Sequence, residues 1–181
     1  MNIAVYCAAS QSNCPAFDER TEELGKWMAQ KNHTLVYGGG NTGLMGIVST
    51  AVMQTGGQVI GVMPQFFVDR EIAKKDITKL HIVETMSERK NKEIELSEVY
   101  IALPGGPGTL EEIAEVVSWV RVGQTNGICI FYNIEGYYNH LEAFFNHMVT
   151  TKLLSKEDRN QIHFVKSLEE IEKLIENYEK R

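Results

Sequence analysis

The sequence predicts an α/β domain built on a doubly wound, mostly parallel sheet with helices on both faces. Short apolar runs rich in β-branched residues alternate with longer amphipathic segments along the 181 residues, a pattern typical of a parallel sheet covered on both sides. Two glycine clusters follow predicted strands, at the edge where such sheets bind ligands. No linker, low-complexity tract or internal repeat interrupts the pattern, so residues 1–181 are predicted to form one domain.

Seven short apolar runs predict the strands. They cover residues 3–7, 34–37, 59–63, 80–83, 99–103, 128–132 and 162–165, the last as an edge strand. The segments between them predict the helices, at residues 15–31, 43–54, 87–96, 110–122 and 137–150. A final helix is predicted after Ser167, which has the spacing of a capping box with Glu170 and is followed by apolar residues at helical spacing.

The composition excludes several classes of protein. The formal net charge of -6 disfavours general binding to nucleic acid, because an acidic surface repels the phosphate backbone. The three cysteines have no CxxC spacing, which argues against a disulfide framework, a zinc site or another metal site and fits a reducing cytoplasm. No signal peptide and no membrane-spanning run are recognised, so a cytoplasmic location is expected.

The sharper functional signal is the loop at residues 104–112, with the sequence PGGPGTLEE. With three glycines and two prolines, the chain passes directly from a predicted strand into a helix. The free N–H groups and the positive dipole end at the start of this helix favour an anion. Thr109 is expected to cap this helix, with Glu112 completing a capping box. That box would not need three glycines, and the Lys-Ser/Thr pair of a P-loop is missing.

The earlier loop, GGGNTG at residues 38–43, contains the spacing GxGxxG. A dinucleotide site is disfavoured, since the loop follows the second strand and no acidic residue closes the third. Two interpretations stay open: a tight strand-to-helix turn, or a phosphate-binding role for Gly39 and Gly40.

Two further segments supply candidate binding groups. Arg89 and Lys90 open the helix before the fifth strand, where Arg89 could bind a phosphate or carboxylate or could pair with Glu93 on a solvated helix face. The long connection at residues 64–76 contains Phe66 and Phe67, which could stack on a base or anchor the loop on the core.

Three sequence blocks together resemble one known family. YGGGNTGLMG at residues 37–46, MSERK at residues 86–90 and PGGPGTLEE occur in the order found in the LOG (Lonely Guy) family of cytokinin riboside 5′-monophosphate phosphoribohydrolases. The resemblance spans residues 3–150 and implies a Rossmann-like fold and a homodimer with sites near its interface. It also implies hydrolysis of AMP or an N6-substituted AMP to free base and ribose 5-phosphate, with no cofactor.

The resemblance also implies roles for particular residues. Arg89 and Glu112 correspond to the catalytic pair. The implied nucleotide-binding positions are Glu71, Lys90, Gly105, Gly106, Pro107, Gly108, Thr109, Leu110 and Glu111. Ser87 stands where many relatives have histidine. The decarboxylase label once given to this family is not supported, because nothing in the sequence suggests the lysine linkage of a pyridoxal-phosphate enzyme.

Two rival functions remain open at this point. A nucleotide or cofactor carrier on the same fold would bind an AMP-like ligand and release no base. An NAD-linked oxidoreductase would use the literal GxGxxG, and the missing acidic residue counts against it. For the hydrolase, Glu112 is expected to remain ionised near the helix N-terminus and to act on the ribose or on water, as nucleophile or as base.

Overall fold

A computed structural model describes residues 1–70, 73–74 and 76–180. Within them, seven parallel strands form one sheet in the order β4-β3-β2-β1-β5-β6-β7. The strands are β1 (Asn2–Tyr6), β2 (Thr34–Tyr37), β3 (Gln58–Pro64), β4 (Lys79–Val83), β5 (Val99–Ala102), β6 (Ile128–Tyr132) and β7 (Ile162–Val165). All seven predicted strands are therefore confirmed, including the edge position of β7.

The helices also follow the predicted order. They are α1 (Pro15–Gln30), α2 (Gly43–Gln54), α3 (Gln65–Val68), α4 (Met86–Glu95), α5 (Pro107–Arg121), α6 (Asn139–Thr150), α7 (Lys156–Arg159) and α8 (Leu168–Glu179). The short α3 and α7 were not predicted, because four residues are too few to show a helical period. A 3₁₀ turn at Ile134–Gly136 precedes α6.

The start of α5 differs from the prediction for a clear reason. The helix begins at Pro107 rather than Leu110, because proline is favoured at a first helical position, where its missing N–H is not needed. Gly106 is therefore the N-cap residue, and no side chain caps the helix. The capping box expected at Thr109 and Glu112 is wrong. At Ser167 the expected side-chain cap is present, since its Oγ accepts a hydrogen bond from the Glu170 amide at 3.3 Å, but the Glu170 carboxylate accepts from the Lys166 amide at 2.7 Å rather than from Ser167.

The sheet is hydrophobic on both faces because helices cover both. Alternate residues of β1 belong to two separate cores: Ile3 and Val5 to one, Ala4 and Tyr6 to the other. The first core contains residues from α1, α2 and α8, and the second contains residues from α4, α5 and α6. Cys7 and Cys129 are buried as expected of small core residues, and neither is in a disulfide.

The strand order determines where a ligand crevice forms. From β1 the chain crosses to β2 on one side, and after β4 it returns through α4 to β5 on the other side of β1. This reversal is the topological switch point of a doubly wound sheet, where ligands bind beyond the carboxyl ends of the strands. In the described part of the chain, no helix combines the length and apolarity needed to span a bilayer.

Gly25 allows α1 and α2 to pack closely, and this packing is testable. A Cβ at position 25 would lie 2.7 Å from the Ala51 Cβ and 2.9 Å from the Val48 carbonyl oxygen. Gly25→Ala should lower the free energy of unfolding by about 1–3 kcal/mol, because overpacking outweighs the helix propensity gained. Urea denaturation measures the change, with Glu19→Ala on the exposed side of α1 as control. A midpoint at or above that of the wild type would contradict this prediction.

Candidate active site

The two glycine-rich loops meet at the short segment that follows β1. The Ala8 amide donates to the Pro104 carbonyl at 3.2 Å, and the Ala8 carbonyl accepts from the Met45 amide at 3.3 Å. The Thr42 hydroxyl donates to the Ala9 carbonyl at 2.7 Å. The loops after β2 and β5 therefore flank the end of β1 at the switch point, the sheet edge predicted for both.

The loop before α5 leaves backbone amides available to a ligand. Leu110 is the first helical residue whose amide reaches an acceptor in the helix, the Gly106 carbonyl at 3.1 Å. The amides of Gly108 and Thr109 therefore have no intrahelical partner. A Cβ added at Gly106 or Gly108 would meet no atom within 4 Å, so both face open space. The helix start has the geometry of an anion site.

Gly105 has a different task in the same loop. A Cβ there would lie only 2.1 Å from the Thr109 hydroxyl oxygen, because the buried Thr109 side chain packs directly on the Gly105 backbone. The several glycines thus serve two purposes: one allows close packing, and the others keep the helix N-terminus accessible.

Arg89 lies at the centre of a buried cluster of charges. One guanidinium nitrogen donates to the Glu112 carboxylate at 2.7 Å, and Nε donates to the Glu93 carboxylate at 3.4 Å. All three side chains are buried. The helical spacing suggested an Arg89–Glu93 pair on a solvated helix face; the pair exists, but it is buried. Arg89 is thereby held against Glu112, the other residue of the expected catalytic pair.

Gly38 makes room for this cluster at the end of β2. A Cβ at Gly38 would lie 2.2 Å from a guanidinium nitrogen of Arg89. The helix that bears Arg89 is fixed at its start, where the Thr85 side chain accepts from the Glu88 amide at 3.1 Å. A glycine is therefore needed at position 38 to leave space for the Arg89 side chain.

The pKa values of the two carboxyl groups are both raised. Burial raises the pKa of Glu93 to about 8, against the opposing charge of Arg89. Burial also raises the pKa of Glu112, while Arg89 again favours the ionised form. The expectation that the helix dipole alone sets the Glu112 ionisation is therefore incomplete, because desolvation is the largest influence. One guanidinium cannot neutralise two buried carboxylates, so Glu93, which is fully buried, is the group that holds a proton most readily.

The other residues predicted to bind the nucleotide differ in their surroundings. Lys90 pairs with Glu111 at 2.7 Å and with Glu115 at 2.9 Å. Leu110 and Glu111 are exposed. Glu71 lies outside the described residues.

The segment after α3 brings an unpredicted cation to the first glycine loop. The Lys74 amide donates to the Gly39 carbonyl at 2.9 Å, and its buried ammonium donates to the Asn41 side chain at 3.3 Å. Gly39 has φ 78°, in the left-handed region that favours glycine. No sequence period marks Lys74, because it lies in an irregular connection.

Phe66 is exposed and contacts the Phe67 ring, with centroids 4.3 Å apart.

Two adjacent tyrosines also contact the loop before α5. The Tyr137 hydroxyl donates to the Gly105 carbonyl, and the Tyr138 hydroxyl donates to the Leu103 carbonyl, each at 2.6 Å. A Tyr-Tyr pair has no distinctive sequence spacing, and from sequence alone it indicates only local packing.

Comparison with known proteins identifies the family. A family model described as possible lysine decarboxylase matches residues 45–175. The probable cytokinin riboside 5′-monophosphate phosphoribohydrolase LOGL6 of Oryza sativa subsp. japonica is 38% identical over 179 residues, covering 99% of this chain and 72% of the relative. The cytokinin riboside 5′-monophosphate phosphoribohydrolase LOG1 of Arabidopsis thaliana is 39% identical, covering 97% and 83%. The chain belongs to the LOG family.

Solved structures agree on the fold of this LOG family member. A molybdenum cofactor carrier protein from Chlamydomonas reinhardtii superposes with a TM-score of 0.76 at 19% identity, covering 99% of this chain and 98% of that one. A molybdenum cofactor binding protein from Rippkaea orientalis gives 0.71 at 21% identity, covering 98% and 96%. At these identities the likeness shows the Rossmann-like fold alone.

The buried cluster predicts a specific pH dependence of stability. Because burial lifts the pKa of Glu93 from 4.5 to about 8, the folded protein retains this proton where the unfolded chain has released it. Stability is therefore lost as the pH rises through this interval, with a slope of up to about 1.4 kcal/mol per pH unit for one proton. Glu93→Gln keeps an acceptor for Arg89 and removes the titration.

Urea unfolding of both proteins across this pH interval measures the effect. The stability of the wild type relative to Glu93→Gln should fall steadily with rising pH. A difference that stays constant with pH would show that Glu93 ionises normally in the folded state.

Proposed function

We propose that this protein hydrolyses the N-glycosidic bond of a nucleoside 5′-monophosphate, either AMP or an N6-substituted AMP, to the free base and ribose 5-phosphate. Support comes first from curated relatives named for this activity on cytokinin riboside 5′-monophosphates, at 34–39% identity over most of the chain. The structural observation that carries the proposal is the buried pair of Arg89 on α4 and Glu112 on α5, 2.7 Å apart, with Glu112 one turn from the free N-terminal amides of α5.

The substrate's 5′-phosphate would bind at the start of α5. The amides of Gly108 and Thr109, which have no acceptor within the helix, together with the Gly106 amide and the positive end of the helix dipole, suit a phosphomonoester. Pro107 sets the first helical turn, and Gly105 lets Thr109 pack beneath it. Gly39 and Gly40 form the opposite wall of the crevice in this proposal, and Glu71, Lys90, Leu110 and Glu111 complete the nucleotide site.

Glu112 would act at the sugar. Cleavage of an N-glycosidic bond passes through an oxocarbenium-like state, in which positive charge develops at C1′ as the bond electrons leave with the base. The Glu112 carboxylate would stabilise this charge and accept a proton from the water whose oxygen bonds to C1′, while the departing base takes up a proton from solvent. Arg89 would hold the carboxylate in register and keep it ionised despite its burial.

Glu112→Gln tests the chemical role. The neutral amide preserves size, but it cannot stabilise a cation or accept a proton, so turnover should fall by at least about 100-fold. Chromatography of free base released from AMP and from N6-isopentenyl-AMP gives the rate. Glu176→Gln, the same change at an exposed position of α8, is the matched control and should retain activity.

Two outcomes would contradict the proposal differently. Near-normal turnover by a folded Glu112→Gln variant would remove Glu112 from the chemistry. A wild-type protein that binds AMP tightly and releases no base would instead indicate a carrier.

The protein is also proposed to act as a cytoplasmic homodimer. The apolar side of α6 supports a partner surface: no residue of α6 is fully buried, Phe144 is 55% exposed, and Leu153, just beyond the helix, is 75% exposed. Large apolar side chains exposed along and just beyond one helix support an interface at this surface. The three free cysteines are compatible with a reducing compartment.

Phe144→Asp should dissociate this dimer. Burying a carboxylate in an apolar interface is unfavourable, whereas the substitution leaves the exposed surface of a single chain folded. Sedimentation velocity should give twice the 20.5 kDa chain mass for the wild type and a single chain for the variant. Asn177→Asp adds the same charge on α8 and should remain dimeric. A dimeric Phe144→Asp variant would place the interface elsewhere.

A further inference from the structure

Tyr137 is held over the loop that precedes α5 by contacts on both its ring and its hydroxyl. The two preceding residues, Glu135 and Gly136, have φ 50° and 73°, and they turn the chain toward the loop. The ring packs edge-on against Phe17, with centroids 5.5 Å apart. The side chain is 45% exposed, so it lies at the rim of the crevice rather than in the core.

Three successive carbonyl groups of this loop each accept one hydrogen bond. Leu103 accepts from the Tyr138 hydroxyl at 2.6 Å, Pro104 from the Ala8 amide at 3.2 Å, and Gly105 from the Tyr137 hydroxyl at 2.6 Å. Tyr138, the first donor, is buried in the second core, and Ala8, the second, is half-buried against the first core. The third is exposed and holds the peptide group between two glycines, which is the least constrained peptide of the three.

The hydrogen bond to Gly105 also fixes the direction of the next amide. In a trans peptide the C=O and the N–H of one unit point in opposite directions, and no cis bond is present in the described residues. Because the Gly105 carbonyl faces Tyr137, the Gly106 amide faces the other way. Gly106 is the N-cap residue of α5, beside the free amides of the helix start.

We propose that Tyr137 is a positioning residue that fixes the Gly105–Gly106 peptide so that the Gly106 amide is directed at the phosphate of the bound nucleotide. The inference rests on the proposed function, since it assigns the phosphate to this helix start. Without the hydroxyl, the peptide between two glycines can rotate, and the ligand must restrict it on binding. Tyr137 therefore acts through the loop and not on the sugar.

The test measures separately how the protein binds the sugar phosphate and how it binds the base. Tyr137→Phe removes the hydroxyl and preserves the ring packed on Phe17. Isothermal titration with ribose 5-phosphate should show binding weakened by about threefold to tenfold, the effect of one hydrogen bond. Binding of adenine and the melting temperature should not change. With AMP, KM should rise by a similar factor while kcat changes less.

Tyr178→Phe removes an equivalent hydroxyl on α8 and should match the wild type in every measurement. Unchanged ribose 5-phosphate binding by Tyr137→Phe, or an equal loss of adenine binding, would overturn the inference. A wild-type protein that fails to bind ribose 5-phosphate would also overturn it, since the loop would then not be a phosphate site. Failure of the proposed hydrolysis is seen separately, as ribose 5-phosphate binding without release of base from AMP.

Discussion

The burial of the Arg89 guanidinium constrains the whole centre of this molecule. A cation removed from water is costly unless carboxylates and hydrogen bonds compensate it. Glu93 supplies one carboxylate from the same helix, and Glu112 supplies the other from α5, across the end of β5. The guanidinium also needs the space that Gly38 leaves at the end of β2. One side chain thus couples three segments that are distant in the sequence.

The position of this cluster follows from the topology of the sheet. Parallel strands bring all their carboxyl ends to one edge, and the reversal between β1 and β5 opens a crevice there. The segment after β1 ties the two glycine loops together through Ala8 and Ala9. The free amides at the start of α5 and the Glu112 carboxylate one turn into the same helix are therefore held at a fixed separation by a single rigid element.

The sequence was most informative where local pattern and tertiary context agree. All seven strands could be predicted, because each is a short apolar run bounded by turns, and the inner strands, such as β5 and β6, are buried on both faces. The loop at residues 104–112 could be predicted as a tight strand-to-helix connection, because proline restricts the backbone and glycine frees it; its binding of an anion stays a prediction. The Thr109 cap was wrong because proline at position 107 began the helix one turn earlier. The contacts of Arg89 with Glu112, of Lys74 with Asn41 and of Tyr137 with Gly105 join residues more than 20 positions apart, and no local period reports such pairs.

The same fold is found in proteins of different function. A molybdenum cofactor carrier protein and a molybdenum cofactor binding protein share the architecture at about one-fifth sequence identity, so the sheet and its switch point do not distinguish binding from catalysis. Binding of an anion alone would need free amides at the start of a helix and would not need a carboxyl group whose pKa is raised by burial. Because Glu93 is the group that holds a proton most readily, Glu112 is left as the charged partner of Arg89, and hydrophobic residues of similar size would replace such a buried ion pair with little loss of stability. A costly buried pair beside the proposed phosphate site therefore supports the proposed role of Glu112 at a developing positive charge.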